Sequence, residues 1–436
     1  AIGPGLACVV ALLALVGYGV KAGLVPGHSW LPDAHPAAPS SISAPLSGVL
    51  TKAGVFGLAQ LLFGLFGVSV FFGSSSGAAG QIPPIGILVT VLGTLTMIYG
   101  ELMALGQKDI KRLLAFSTMG QVGEITLTMG LFTWLAATGA LMHVVNHAVM
   151  KDLLFFASGA LILRAGSRNL SDLKGLGRAM PFTATCMVIG LLAILGLPPF
   201  AGFMSKFMML YAIADQAPLL AGLMLLASLA GCIYYTRIIR TLIFEPLPEN
   251  ARLIREAPVS MRVPMGILAF LCVLLGLFPQ MGLSLVMPAV EHFAASGKLV
   301  AQAMPSLEIH WPAFTLMLMA AAFVPVILRR DPERAGMGAV VALALAAVLV
   351  IITGQGLDSL SFWFAFLVPA VGAINMYYAT SYMDHSHSQW RFYAFFLCMC
   401  AGLTGVAAST DLFNFFLFWE IMSSWSLYFV IVHEEN

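Results

Sequence analysis

Runs of about 20 or more apolar residues, the length that crosses about 30 Å of hydrocarbon, recur along the whole of this chain and leave no stretch long enough for a soluble domain. Thirteen are expected to span a membrane, near residues 5–24, 41–64, 84–106, 113–131, 134–163, 182–213, 218–244, 263–282, 311–328, 337–353, 361–382, 392–409 and 412–433. Composition agrees: only 9% of the 436 residues are charged and 60% are hydrophobic, against roughly 25% charged in an average soluble domain. A lipid-exposed backbone must satisfy its own hydrogen bonds, and runs this long and uniformly apolar exclude barrel strands. The expected fold is therefore an all-α membrane protein, a polytopic helical bundle. Residues 1–24 lack the basic leader and small-residue cleavage site of a signal peptide and are read as the first span.

The cations alternate between loops, as the positive-inside rule requires of a correct topology. Lys108, Lys111 and Arg112 fall in one loop; Arg164, Arg168, Lys174 and Arg178 in the next but one; Arg237, Arg240, Arg252, Arg255 and Arg262 two further on; then Arg329, Arg330 and Arg334, and finally Arg391. Lys298 is the one cation in an intervening loop. The chain is thus expected to start outside and end on the cytoplasmic side. A net charge of +1 and the absence of a Gly-rich phosphate loop argue against a nucleic-acid partner. Cys8, Cys186, Cys232, Cys272, Cys398 and Cys400 lie in apolar runs without CxxC or zinc-type spacing and are expected to be packing residues, with no metal site.

Four cations fit no loop, and all are lysines: Lys21, Lys52, Lys151 and Lys206. A guanidinium stays charged in any protein environment, whereas an ammonium moved into low dielectric can release its proton. In-membrane acids accompany them, at Glu101, Glu124, Asp152 and Glu420. An ionisable residue at the bilayer centre costs roughly 2.5–3.5 kcal/mol on insertion scales, which makes so large a set a functional signal. Bland readings stand beside it: Lys21, Glu101 and Glu124 lie near span ends from which they can snorkel, and Lys52 and Lys206 can be members of structural ion pairs.

HVVNHAVMKD (143–152) places His143, His147 and Lys151 at i, i+4 and i+8. Each step of four advances about 40° around a helix and about 6 Å along it, so one face carries three protonatable groups as a ladder. Histidine titrates near neutrality and suits a proton relay. HxxxH also matches a two-histidine metal face, but no HExxH glutamate or third ligand accompanies it. Near Lys21 the helix runs into VPGHSWLPDAHPAAP (25–39), and before Lys206 comes GLPPFAG (196–202). Prolines inside a span free carbonyls that must face protein or water. One lysine precedes its break and the other follows it, the sense expected of an inverted repeat.

KAGLVPGHSWLPDAHPAAPSSISAPLSGVLTKAGVFGL (21–58), QKDIKRLLAFSTMGQVG (107–123), HVVNHAVMKDLLFFASGA (143–160) and GLPPFAGFMSKF (196–207) resemble the signature segments of the antiporter-like, proton-conducting subunits. These belong to respiratory complex I, membrane-bound hydrogenases and formate hydrogenlyase, and Mrp-type Na+/H+ antiporters. The resemblance covers almost the whole chain. It implies two inverted five-helix repeats, each with a broken helix, and a hydrophilic axis along the membrane midplane. By motif, Lys21 resembles the lysine of the first broken helix, Lys52 the connecting lysine, His143, His147 and Lys151 the central relay, and Lys206 the distal lysine of the second broken helix. Glu420, in DLFNFFLFWEIMSSWSLY (411–428), resembles the glutamate that pairs with the first broken-helix lysine.

The order departs from the family. Residues 1–290 resemble helices seven to fourteen of one unit, 291–310 connect, and 311–436 resemble helices one to five of a second unit, with the sixth absent. Either the chain runs across a tandem fusion of two units, or parts of a longer protein are missing or rearranged; pairing of Glu420 with Lys21 stays open accordingly. Asp152 is a second departure, since the residue after the relay lysine is usually small and apolar; it either trims the lysine's proton affinity or faces a neighbouring helix. The resemblance implies a proton-translocating, non-redox subunit of an oxidoreductase complex of the NADH:quinone oxidoreductase or hydrogenase type, in a bacterial or archaeal cytoplasmic membrane. Its partners would be other membrane subunits and a peripheral redox module, whose iron–sulfur clusters lie outside this chain; no cofactor is expected within it. A Na+/H+ antiporter subunit without redox partner and a non-conducting scaffold are the alternatives.

Overall fold

The computed structural model describes residues 4–66, 82–248, 254–295, 310–384, 386, 388–410, 414, 415, 418, 421 and 422. Helices are the long regular elements among them, and one isolated antiparallel bridge joins Asp109 to Asn169. α1 (Pro4–Ala22) stops where Gly23 adopts φ +81° and the Leu24 N–H turns back to Gly19 O at 2.8 Å, a left-handed cap that a residue without Cβ takes at no steric cost. α2 (Trp30–Ala37) and α3 (Ser40–Gly64) follow, α3 containing a π-helical turn at Leu46–Leu50. α4 (Pro84–Leu105) leads to α5 (Ile110–Met129), whose start is capped by Asp109 accepting from Lys111 N and Arg112 N. α6 (Trp134–Ala165) is the longest helix described, with 32 residues. α7 (Pro181–Leu195) and α8 (Gly202–Gln216) have 15 residues each and are separated at GLPPFA, where the sequence places its second break.

α9 (Pro218–Ile239), α10 (Val259–Leu277) and α11 (Pro279–Ala295) come next. No span is expected between 282 and 311, yet α11 occupies the first part of that stretch. Its buried Val286, Ala289, Val290 and Phe293 recur at helical spacing, so one face lies on the bundle. The chain continues with α12 (Ala313–Ile327), α13 (Pro332–Thr353), α14 (Ser359–Tyr382) and α15 (Gln389–Ala408). The run expected at 412–433 lies almost wholly outside the described residues.

Seven of the described helices are long and apolar enough to cross a membrane. α5 and α6 are not among them, because they carry the polar residues; in compensation nearly all of α5 and most of α6 are buried within protein. Polar side chains at membrane depth are tolerated where they face the bundle interior. α4 and α5 approach closely through glycines: a Cβ on Gly100 would lie 2.7 Å from Phe116 O, and one on Gly123 would lie 2.6 Å from Met97 Cα. Small residues let membrane helices cross at backbone contact.

Three of the loops expected on one side gather at one end. Asp109 bridges to Asn169, Lys174 pairs with Glu245 at 3.3 Å, and Arg164 donates to Glu256 O at 3.0 Å. α2 folds under α5 at this end, where Arg112 meets Asp33 at 2.9 Å. Those two side chains are 47% and 70% exposed, and exposed pairs contribute at most about 1 kcal/mol. Asp33→Asn should therefore change the unfolding free energy of the detergent-purified protein by less than about 1 kcal/mol, as read from its thermal transition.

The last part of the chain packs on the first. Ile42, Leu46, Val49, Ala53 and Phe56 of α3 share one apolar cluster with Phe314, Leu318, Phe364 and Val371. Phe56 stacks on Phe364 at 5.1 Å, and Tyr18 of α1 meets Phe415 edge-on at 5.7 Å. Segments far apart in sequence thus form one continuous core.

Candidate functional site

On α5, Ser117, Gln121, Glu124 and Thr128 recur at helical spacing, and on α6 His143, His147 and Lys151 do the same; all are buried where the two helices pack. Two apolar clusters flank this polar face. One takes residues 110–119 of α5 with 149–161 of α6, the other 122–131 with 136–142. Gln121, His143, Asn146 and His147 fall at the join between them. The polar groups thus form a belt across the interior instead of a surface patch.

The belt can be followed bond by bond. Lys206 Nζ lies 3.2 Å from Glu124 Oε2 and donates to Oε1 at 3.3 Å. Gln121 Nε2 donates to Glu124 Oε1 at 3.2 Å, and Gln121 Oε1 meets His143 Nε2 at 3.0 Å. His143 Nδ1 is 2.9 Å from Ser205 Oγ, which also accepts from Asn146 Nδ2 at 3.1 Å. Because the Gln121 amide gives its N–H to Glu124 and its oxygen to His143, the imidazole carries its proton on Nε2. Lys206 and Ser205 reach the belt because α8 starts immediately after the break and descends beside α6. The next imidazole, His147, has its ring centre 6.0 Å from that of His143. Both its nitrogens are buried without a protein partner.

Lys151 continues the line toward the cationic end. Its Nζ donates to Leu114 O at 3.0 Å and to Ser117 Oγ at 2.6 Å; Ser117 Oγ in turn is hydrogen-bonded to the Tyr235 hydroxyl. The Tyr235 ring lies 4.3 Å from that of Tyr234, whose hydroxyl donates to Glu101 Oε2 at 2.8 Å. Lys52 enters from α3: its Nζ donates to Ser47 O at 2.5 Å and to Thr51 Oγ1 at 3.2 Å, and Ser47 Oγ is 2.7 Å from Thr118 Oγ1 of α5. The carbonyl it uses belongs to the π-helical turn, a feature common at functional sites.

The structure therefore brings Lys52, His143, His147, Lys151 and Lys206 to one interior region. Lys21 stands half-buried in the last turn of α1. Glu420 lies outside the described residues, and its pairing with Lys21 lies outside them too. Glu101 and Glu124, for which snorkelling stood as one reading, are buried and paired inside the bundle.

Sequence reasoning misplaced Lys111. Counted as a loop cation, it is buried, and its Nζ donates to Ala38 O at 2.5 Å. Its neighbours Lys108 and Arg112 made it look like part of a charged loop, and only the folding of α2 under α5 encloses it. Tyr234, Tyr235 and Gln121 were missed as well, since an isolated tyrosine or glutamine in an apolar run carries no periodic signal. His35 is the last omission: fully buried, stacked at 4.6 Å on Phe155, with neither nitrogen partnered and with Lys111, Lys151 and Lys52 within electrostatic reach. Its position in the proline-broken stretch 25–39 was the available signal.

Both nitrogens of His143 are engaged by Gln121 and Ser205, and no cluster of three or more His, Cys, Asp or Glu fit to hold a metal occurs among the described residues.

Known proteins are similar to this chain. The chain is 37% identical over 317 residues to hydrogenase-4 component B of Escherichia coli (strain K12), covering 67% of this chain and 45% of that one. It is 34% identical over 288 residues to NADH-quinone oxidoreductase subunit N of Desulforudis audaxviator (strain MP104C), covering 62% of this chain and 56% of the relative. The chain thus spans about half the length of these curated relatives. Among solved structures, a chain of the membrane-bound sulfane sulfur reductase, an archaeal respiratory membrane complex, superposes with a TM-score of 0.57 at 34% identity, over 62% of this chain and 44% of that one. Residues 4–234, more than half of the chain, match the family described as NADH:quinone oxidoreductase/Mrp antiporter, TM. The buried Lys/His/Glu belt and broken helices described above thus sit on a multi-pass membrane protein that belongs to the NADH:quinone oxidoreductase/Mrp antiporter family.

Proposed function

We propose that this chain is a proton-translocating membrane subunit of a redox-driven complex of the NADH:quinone oxidoreductase or hydrogenase type. The observation that carries the reading is the run of buried polar contacts from Lys206 through Glu124 and Gln121 to His143, set in an otherwise apolar bundle and extended by His147, Lys151 and Lys52. Lys21 and Lys206 are the switching sites, and Lys52, His143, His147 and Lys151 connect them; Glu420 is assigned to the relay by its motif alone. Residues 1–290 supply the later helices of an antiporter-like unit and 311–436 the earlier helices of a second such unit. Relatives named as components of hydrogenase and NADH-quinone oxidoreductase support the redox assignment. The clusters that handle electrons are assigned to a peripheral module of iron–sulfur subunits, and the membrane is a bacterial or archaeal cytoplasmic membrane.

The chemistry follows from the contacts. While Glu124 is ionised it holds the Lys206 ammonium; a proton delivered to Glu124 cancels that attraction and lowers the cost of releasing the lysine's proton. His143 is linked to the pair through Gln121, and a proton taken up at Nδ1 reverses the Ser205 contact: Nδ1–H donates to Ser205 Oγ while that hydroxyl turns to Gly202 O at 3.2 Å, so each transfer reorients one hydrogen bond. Two unit charges about 8 Å apart at an effective dielectric near 20 interact by roughly 2 kcal/mol, more than one pKa unit. A change of charge at one station thereby biases the next. A buried imidazole without partners, as at His147, is costly to keep, and proton transfer supplies a reason to keep it.

The assembled complex, purified and reconstituted in vesicles, tests the reading. Iron–sulfur EPR signals should accompany the chain, and electron donor should drive protonophore-sensitive proton movement that Lys151→Met reduces at least tenfold. Na+/H+ exchange by a preparation without cluster signals would replace the redox reading with the antiporter one, and no transport of either kind would leave the scaffold.

A further inference from the structure

Asp152 follows the relay lysine on α6 but turns the other way. Lys151 reaches α5, while the Asp152 carboxylate faces α14, where Asn375 Nδ2 donates to its Oδ2 at 3.2 Å and to Val371 O at 2.9 Å. Both residues are fully buried. Two oxygens of this pair, Asp152 Oδ1 and Asn375 Oδ1, are buried without a partner. An ionised carboxylate and an amide carbonyl only accept, so a charged Asp152 leaves two acceptors and no donor between them. One proton on the carboxyl supplies the missing donor.

The same carboxyl lies within electrostatic reach of the amine of Lys52. Gly48 leaves it room: a Cβ there would run into Asp152 Oδ1 and lie 3.2 Å from Ala148 O. Gly48 belongs to the same π-helical turn as Ser47, which offers its carbonyl to Lys52 Nζ. Acid and base thus meet adjacent residues of one turn, within electrostatic reach of each other. Of the groups facing Asp152, Lys52 on α3 is the charged one; α14 presents the uncharged Asn375, and Lys151 on its own helix is turned to Leu114 and Ser117.

Resting on the proton-relay reading above, we propose that Asp152 is an additional proton-carrying site that exchanges a proton with Lys52 and joins the relay to α14. The exchange requires the Lys52 amine to leave Ser47 O and Thr51 Oγ1 and swing to the carboxyl; the O–H bond of Asp152 then breaks as an N–H bond forms on Lys52 Nζ, converting acid plus amine into carboxylate plus ammonium, with no change of oxidation state. The ionised carboxylate then draws on the Asn375 N–H more strongly, because a hydrogen bond to a charged acceptor is roughly twice as strong as a neutral one. α14, 223 residues away in sequence, is thereby sensitive to which partner holds the proton.

Infrared difference spectroscopy on the assembled complex reads the proton directly. The resting complex should show a carboxylic-acid C=O band that Asp152→Asn removes. Asn375→Leu, which keeps the acid but takes away the N–H on its carbonyl, should shift that band to higher frequency, and Lys52→Met should abolish its loss during turnover. The resting band should persist in Lys206→Met, where transport is lost, so it reports on Asp152 independently of the wider function. A resting spectrum unchanged by Asp152→Asn overturns the proposal even in a complex that pumps, and so does a band that appears only when Na+ is removed, which would make the carboxylate a cation ligand.

Discussion

Lys206→Met is expected to abolish donor-driven proton movement by the assembled complex and to lower its thermal stability. Glu124 is fully buried and the Lys206 side chain only 12% exposed, with the charges 3.2 Å apart. Removing one member of a buried ion pair typically costs about 3–5 kcal/mol, because the other charge is left uncompensated. Glu124→Gln in the same background removes that charge and keeps the Gln121 and His143 contacts in shape. The double variant should therefore recover most of the lost stability while transport stays absent. Proton uptake into vesicles and the thermal transition separate the two effects; full pumping in Lys206→Met would sink the assignment of this lysine as a switching site.

Gly123→Ala should impair folding by a different route, overpacking. Its new methyl would lie 2.6 Å from Met97 Cα and 2.7 Å from Gly93 O. Those are backbone atoms of α4, so no rotamer change relieves the clash and the two helices must separate. Overpacking costs typically about 1–3 kcal/mol, and a clash with backbone belongs at the upper end. Separation also carries Glu101 away from Tyr234 of α9. The yield of folded complex in mild detergent and its melting temperature should both fall. Gly222→Ala is the control: nothing lies within 4 Å of the added carbon, and alanine favours the helix by about 1 kcal/mol, so its yield should match the parent. Equal yields for the two variants would show that α4 and α5 do not rely on this close approach.

Particular residues show where sequence reading stopped. Apolar run length located α4, α9, α10, α13, α14 and α15 to within a few residues, since hydrocarbon thickness acts on every span alike. The proline-rich stretches marked both breaks. Helical spacing put His143, His147 and Lys151 on one face, and that face is the one α5 covers. Spacing could not supply the partners: Gln121 and Ser205 for His143, Tyr234 for Glu101, and Lys206 for Glu124 come from other helices, 22 to 133 residues away. Lys111 failed for the same reason, its acceptor lying 73 residues earlier at Ala38.

Amino-acid order by itself determined that this chain lives in a bilayer, which residues break its helices, and which ionisable side chains the membrane would not tolerate without cause, because those properties follow from hydrophobicity and local backbone chemistry. Only the tertiary structure decided which charge meets which, that α5 and α6 are the interior helices, and that Asp152 answers to α14 and not to its neighbour Lys151. Pairing of buried polar groups depends on which helices touch, and that is settled by packing across the whole bundle.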